Sequence, residues 1–73
     1  PNEFLCPITH EIMRDPVCIS DGYTYERSAI EEWLTKKKTS PIMNSSIKGT
    51  QIYPNKILKM LIDQYTQQQL QQR

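Results

Sequence analysis

The side chains with intrinsic reactivity are two cysteines, Cys6 and Cys18, and a single histidine, His10. Such groups bind metals, pair as a disulfide or act as nucleophiles. A closed structural zinc site takes four ligands, nearly always Cys or His. Three candidates do not fill one such site without a carboxylate, so no metal is expected. A Cys6–Cys18 disulfide needs an oxidising compartment, and nothing in the sequence suggests secretion. A covalent thiol mechanism needs an exposed, activated cysteine, and only His10 is on hand to activate one. The simplest reading makes both thiols small buried hydrophobes. The run Lys36, Lys37 and Lys38 invites a nucleic-acid reading. Nine Lys+Arg against eight Asp+Glu leave almost no net charge, and no aromatic–basic interleaving supports it. Three lysines fit a solvated helix C-terminus instead. No apolar run approaches a membrane span.

Any site must therefore be a surface, placed by a small scaffold. The 73 residues suffice for one domain. A core of that size is marginal and needs support from disulfides, a metal, a polar network or a partner. The chain reads as one domain of a longer protein. Pro7 breaks the apolar stretch Phe4-Leu5-Cys6-Pro7-Ile8 and predicts a loop with a rigid bend. Val17-Cys18-Ile19 and Tyr23-Thr24-Tyr25 flank Ser20-Asp21-Gly22 and predict a β-hairpin. A helix opens at Glu26 or Ser28, with Ala29, Ile30, Trp33 and Leu34 as its apolar stripe. Residues 39–46 read as a second loop, and residues 47–53 as the place for a short strand. Asn55 is a good N-cap for a last helix, whose stripe is Ile57, Leu58, Leu61, Ile62 and Tyr65. That stripe is the last wall of the core or, alternatively, a dimer face. The Gln-rich residues 67–73 are a polar helix end or linker. The fold class is small α+β, and no internal repeat is evident.

Three segments, in this order and spacing, resemble the U-box family. They are Phe4-Leu5-Cys6-Pro7-Ile8-Thr9 with Met13-Arg14-Asp15-Pro16-Val17, then Asp21-Gly22-Tyr23-Thr24-Tyr25-Glu26-Arg27 running into Ile30-Glu31-Glu32-Trp33-Leu34, then Ser40-Pro41-Ile42 with Pro54-Asn55. The resemblance spans residues 2–65, with the domain itself placed at 1–66. Among U-boxes it is most similar to those of proteins that also carry WD repeats and a SAM domain. It implies a zinc-free, RING-like fold whose loops rest on polar contacts, for which Asp15, Ser20, Thr24, Glu26, Arg27, Asn44 and Asn55 are candidates. It implies a ubiquitin-protein ligase that docks a ubiquitin-conjugating enzyme charged with ubiquitin. Ile8, His10, Trp33 and Pro41 would form the docking groove, Lys37 its border, and Asn44 the position that favours the reactive closed state. No cofactor and no catalytic nucleophile are implied. Substrates would be held by other domains, in the cytoplasm or nucleus. A non-catalytic interaction or dimerisation module is the competing function. Two residues depart from the family's pattern. His10 stands where many relatives carry a larger apolar or aromatic side chain, and Asn44 where several active relatives carry Arg.

Overall fold

The computed structural model describes residues 2–49 and 51–71. A single 3-10 turn, Asn2–Phe4, leads into the first loop. Three short strands follow the order β2-β1-β3, with β1 (Pro16–Cys18) central, β2 (Thr24–Glu26) and β3 (Tyr53–Pro54) antiparallel to it. Val17 faces Tyr25 across one ladder and Pro54 across the other. Helix α1 (Arg27–Lys36) follows β2 directly, and α2 (Lys56–Gln71) follows β3. No helix of the described residues is long and apolar enough to cross a membrane.

The hairpin forms one residue further from its turn than the sequence predicts. Ile19 and Tyr23 close the turn rather than extend the ladder: Ile19 N–H donates to Tyr23 O, and Gly22 N–H to Ile19 O. Gly22 takes φ 85°, the left-handed conformation in which a Cβ is costly. Asp21 Oδ1 accepts the Tyr23 N–H at 2.8 Å and completes an Asx-turn. The third strand is also shorter and later than residues 47–53. Ile47 N–H is committed to Lys38 O at the base of the second loop, and Gly49, at φ 77°, turns the chain away. Only Tyr53–Pro54 reach β1, on an edge where proline's missing donor does no harm.

Helix α1 buries Ile30 and Leu34 and half-buries Ala29 and Trp33, as the stripe predicts. Its first cap is Glu26, and Lys37 N–H closes the last turn onto Trp33 O at 2.9 Å. Asn55 caps α2: its Oδ1 accepts the Leu58 N–H at 3.1 Å. The predicted stripe of α2 splits. Ile62 is buried and Leu58 and Tyr65 half-buried, whereas Ile57 and Leu61 are 67% and 44% exposed and lie off the core wall. The buried core comprises Cys6, Met13, Val17, Ile19, Tyr25, Ile30, Leu34 and Ile62. Phe4 packs edge-on against Tyr65 at its margin. The glutamines up to Gln71 continue α2, and residues 72 and 73 lie outside the described residues.

Candidate functional site

Two loops flank α1, and they share one backbone plan. In the first, Cys6 N–H donates to Glu11 O at 2.9 Å and His10 N–H to Cys6 O at 2.8 Å. In the second, Ser40 N–H donates to Ser45 O at 2.9 Å and Asn44 N–H to Ser40 O at 2.8 Å. Each loop is closed by an isolated bridge, Leu5–Ile12 and Thr39–Ser46. Each places a non-glycine residue in the left-handed region, His10 at φ 62° and Asn44 at φ 57°. Each turns on a fully buried residue whose side chain accepts the amide two positions on. Ile8 N–H donates to Cys6 Sγ at 3.4 Å, and Ile42 N–H to Ser40 Oγ at 3.3 Å. The chain thus contains a structural repeat that the sequence reading missed. Its sequence trace is the Pro-Ile pair after Cys6 and after Ser40, too short to register as periodicity.

Polar side chains fasten these loops to the sheet. The Glu26 carboxylate accepts the N–H groups of Arg14 and Asp15 at 2.7 and 2.9 Å. Arg27 Nε donates to Asp15 Oδ2 at 2.6 Å, and Arg27 N–H to Asp15 O. The Asp15 carboxylate raises the Arg27 pKa above its usual value, first through that hydrogen bond and then through charge. The pair is well exposed, so its contribution to stability is small. Asn55 Nδ2 donates to Thr24 Oγ1 at 3.2 Å and to Cys18 Sγ at 3.6 Å, joining α2 to the hairpin. Asp15, Thr24, Glu26, Arg27 and Asn55 are therefore brought into polar contacts. Ser20 is not. It is exposed, and no side-chain hydrogen bond involves it among the described residues. Its neighbour Asp21 holds the position instead. Asp21 Oδ2 accepts the Ser40 hydroxyl at 2.6 Å and the Tyr25 hydroxyl at 2.7 Å. Burial, with the Asp21 hydrogen bond second, pushes the Tyr25 hydroxyl far above the ordinary phenol range. Asp21, Ser40 and Tyr25 were legible only as turn, loop and strand residues. Every buried side-chain N or O atom among the described residues has a partner.

Between the first loop and α1 lies an open groove of about 390 Å³, walled by Ile8, Thr9, Ala29 and Trp33, with Glu32 and Lys36 at its rim. Trp33 is fixed: its Nε1–H donates to Thr39 O at 2.8 Å and ties the helix to the start of the second loop. Lys37 Nζ lies 5.0 Å from the indole centroid, a cation–π distance. Lys36 pairs with Glu32 at 3.4 Å. Half-buried Pro41 and exposed His10, Lys37 and Asn44 are not part of the groove's lining; Pro41 and Asn44 belong to the second loop. Ile42 and Met43 are exposed on the second loop, at 40% and 57%.

The thiols belong to the scaffold. Cys6 is fully buried, and its Sγ also accepts the Glu26 N–H at 3.3 Å. Cys18 is half-buried and bonded to Thr24 and Asn55. Neither is placed as an exposed nucleophile. Among the described residues, no group of three or more His, Cys, Asp and Glu converges on a point that would hold a metal ion.

Among the described residues, neither thiol is placed to react, and an open, largely apolar groove lies between the first loop and α1. The chain is 54% identical over 70 residues to the WD repeat, SAM and U-box domain-containing protein 1 of Danio rerio, covering 94% of this chain and 14% of that protein. It is 52% identical over 66 residues to the human protein of that name, covering 89% of the chain and 14% of the relative. It is 53% identical over 60 residues to a probable bifunctional E2/E3 enzyme of Acanthamoeba polyphaga mimivirus, covering 82% of the chain and 4% of that enzyme. The chain thus spans a small part of the relatives it matches. The U-box domain family model matches residues 1–71, and with the small α+β architecture and paired loops described above, the chain belongs to the U-box family.

Proposed function

We propose that this domain is the scaffold part of a ubiquitin-protein ligase. It docks a ubiquitin-conjugating enzyme charged with ubiquitin and speeds transfer to a substrate lysine, forming no covalent intermediate with ubiquitin itself. The observation that carries this reading is the Ile8–Trp33 groove, held open between a fastened loop and α1. A branched aliphatic, a fixed indole and Pro41 of the second loop are the ingredients of a compact hot spot. Lys37 and His10 border it as determinants of partner choice.

The chemistry takes place on the conjugating enzyme. A substrate amine attacks the thioester carbonyl; the C–N bond forms, the C–S bond breaks and the thiolate leaves on that enzyme. The domain's share is positioning and a shift of population toward the closed, reactive arrangement. Buried Cys6 and bonded Cys18 fit this division of labour. Asn44 is the residue assigned to closure. Its exposed side chain, on a left-handed turn of the second loop, supports that role.

Substrate proteins would be held by other parts of the full protein, in the cytoplasm or nucleus. One observation favours a second reading. Asn44 carries no charge and has a short reach, which suits a docking module of low ligase activity. Exposed Ile57 and Leu61 would then serve as a homodimer face. A lysine-discharge assay with a panel of charged conjugating enzymes separates the two. Acceleration with at least one enzyme supports the ligase; binding without acceleration across the panel supports the docking module.

A further inference from the structure

The two loops share a backbone plan but are anchored by different chemistry. In the first, Cys6 Sγ accepts backbone amides only, from Ile8 and Glu26. In the second, the anchor is a carboxylate. The Ser40 hydroxyl has one proton, and it goes to Asp21 Oδ2. Its oxygen is thereby turned to accept the Met43 N–H at 2.9 Å and the Ile42 N–H at 3.3 Å. These amides belong to the turn that carries Pro41 and Asn44. The Tyr25 hydroxyl shares Oδ2, while Oδ1 is held by the Tyr23 N–H. All three acceptor interactions of Asp21 are thus committed, and none of them reaches the first loop.

We infer that Asp21 is a positioning residue for the turn of the second loop that carries Asn44, so that it governs closure of the charged conjugating enzyme, while Ile8 on the first loop is held without it. This deepens the proposed function and rests on it. Asparagine has one acceptor oxygen, and its NH₂ cannot accept. Asp21→Asn can therefore keep both hydroxyls by giving up the Tyr23 amide, so the anchor is removed by Asp21→Ala, which forfeits all three contacts. Displacement of a positioning group by even a fraction of an ångström is expensive for a step that needs alignment.

The test is single-turnover lysine discharge at rising concentrations of the 73-residue chain, with amide hydrogen exchange on the same proteins. Asp21→Ala is expected to lower the saturating rate about tenfold, with the half-saturating concentration changed by less than about threefold. Ile8→Ala is expected to do the reverse. Exchange should quicken at Ile42, Met43 and Asn44 and stay as in the parent at Cys6, Ile8 and His10. Ser40→Ala should reproduce the effect, and the double variant should be no slower than the slower single, because both break one chain of contacts. Ser40→Ala also carries the comparison if Asp21→Ala does not fold. A loss expressed in the half-saturating concentration, equal quickening of exchange in both loops, or additive losses would overturn the inference. A parent chain that discharges no conjugating enzyme would instead overturn the ligase reading, and with it the link to closure; the exchange pattern would still decide whether Asp21 holds the second loop.

Discussion

Replacing Asn44 by arginine should speed ubiquitin discharge at a cost in stability, and both effects can be sized. Asn44 sits at φ 57°. Asparagine tolerates the left-handed region because its short side chain does not crowd the backbone, whereas a long side chain costs about 1 kcal/mol there. No side-chain hydrogen bond is lost, since none involves Asn44 among the described residues. For a domain of this length, about 1 kcal/mol lowers the melting temperature by roughly 4–8 °C. The gain lies elsewhere. Guanidinium offers five donors and a permanent charge where the amide offers two donors. One charge-assisted hydrogen bond formed only in the closed state is worth about 1 kcal/mol, or roughly fivefold in rate. Affinity for the uncharged enzyme should barely move, because a ligand shifts an equilibrium only through contacts that differ between its two states. The assay is single-turnover lysine discharge beside a binding titration and a thermal melt. Asn44→Gly is the control: it suits the same φ, should melt no lower than the parent, and should discharge more slowly. An arginine variant that is folded yet no faster than the parent would refute the assignment of Asn44 to closure.

Ile8→Ala should stay folded, since Ile8 is only half-buried, and should weaken conjugating-enzyme binding by about 1–3 kcal/mol in a titration. Trp33→Phe keeps an aromatic wall but loses the Nε1–Thr39 bond; a denaturant titration should show a loss of about 1 kcal/mol, with faster exchange in the second loop. For Tyr25, burial raises the folded pKa above the ordinary value of about 10. Its contribution is therefore fully present below pH about 10 and is lost as pH rises further, because the unfolded chain releases the phenol proton first. Denaturant titrations across that range should show an alkaline decline that Tyr25→Phe flattens. Excess chelator should leave the melting temperature unchanged; a fall of several degrees reversed by zinc would contradict the polar anchoring of the loops.

The elements were legible where local chemistry determines them. Asp21-Gly22 marked the hairpin, the spacing of Ile30 and Leu34 marked α1, and Asn55 marked the start of α2. What failed depended on partners distant in sequence. Residues 47–53 look extended, but Ile47 is claimed by Lys38 and Gly49 turns the chain, so only Tyr53–Pro54 pair with β1. Helical spacing grouped Ile57 and Leu61 with Ile62, yet only one side of that wide stripe meets the sheet. Asp15, Glu26 and Arg27 could be named as polar anchors because the resemblance to a zinc-free family implies loops that rest on polar contacts. Ser20 and Asp21 are adjacent polar turn residues, and only the buried hydroxyls of Tyr25 and Ser40 distinguish them. The likeness of the two loops lies in amide directions and left-handed turns, which two shared residues, Pro and Ile, do not announce.

In the proposed function, a groove on α1 and the first loop docks the charged conjugating enzyme, and docking there is what lets the domain speed transfer. That claim is tested most directly by measuring lysine discharge from a panel of ubiquitin-charged conjugating enzymes with the parent chain and with Ile8→Ala at equal concentration. The account predicts acceleration by the parent for at least one enzyme, and loss of that acceleration at subsaturating Ile8→Ala with its fold intact by circular dichroism. Acceleration by the parent that Ile8→Ala leaves untouched would contradict it.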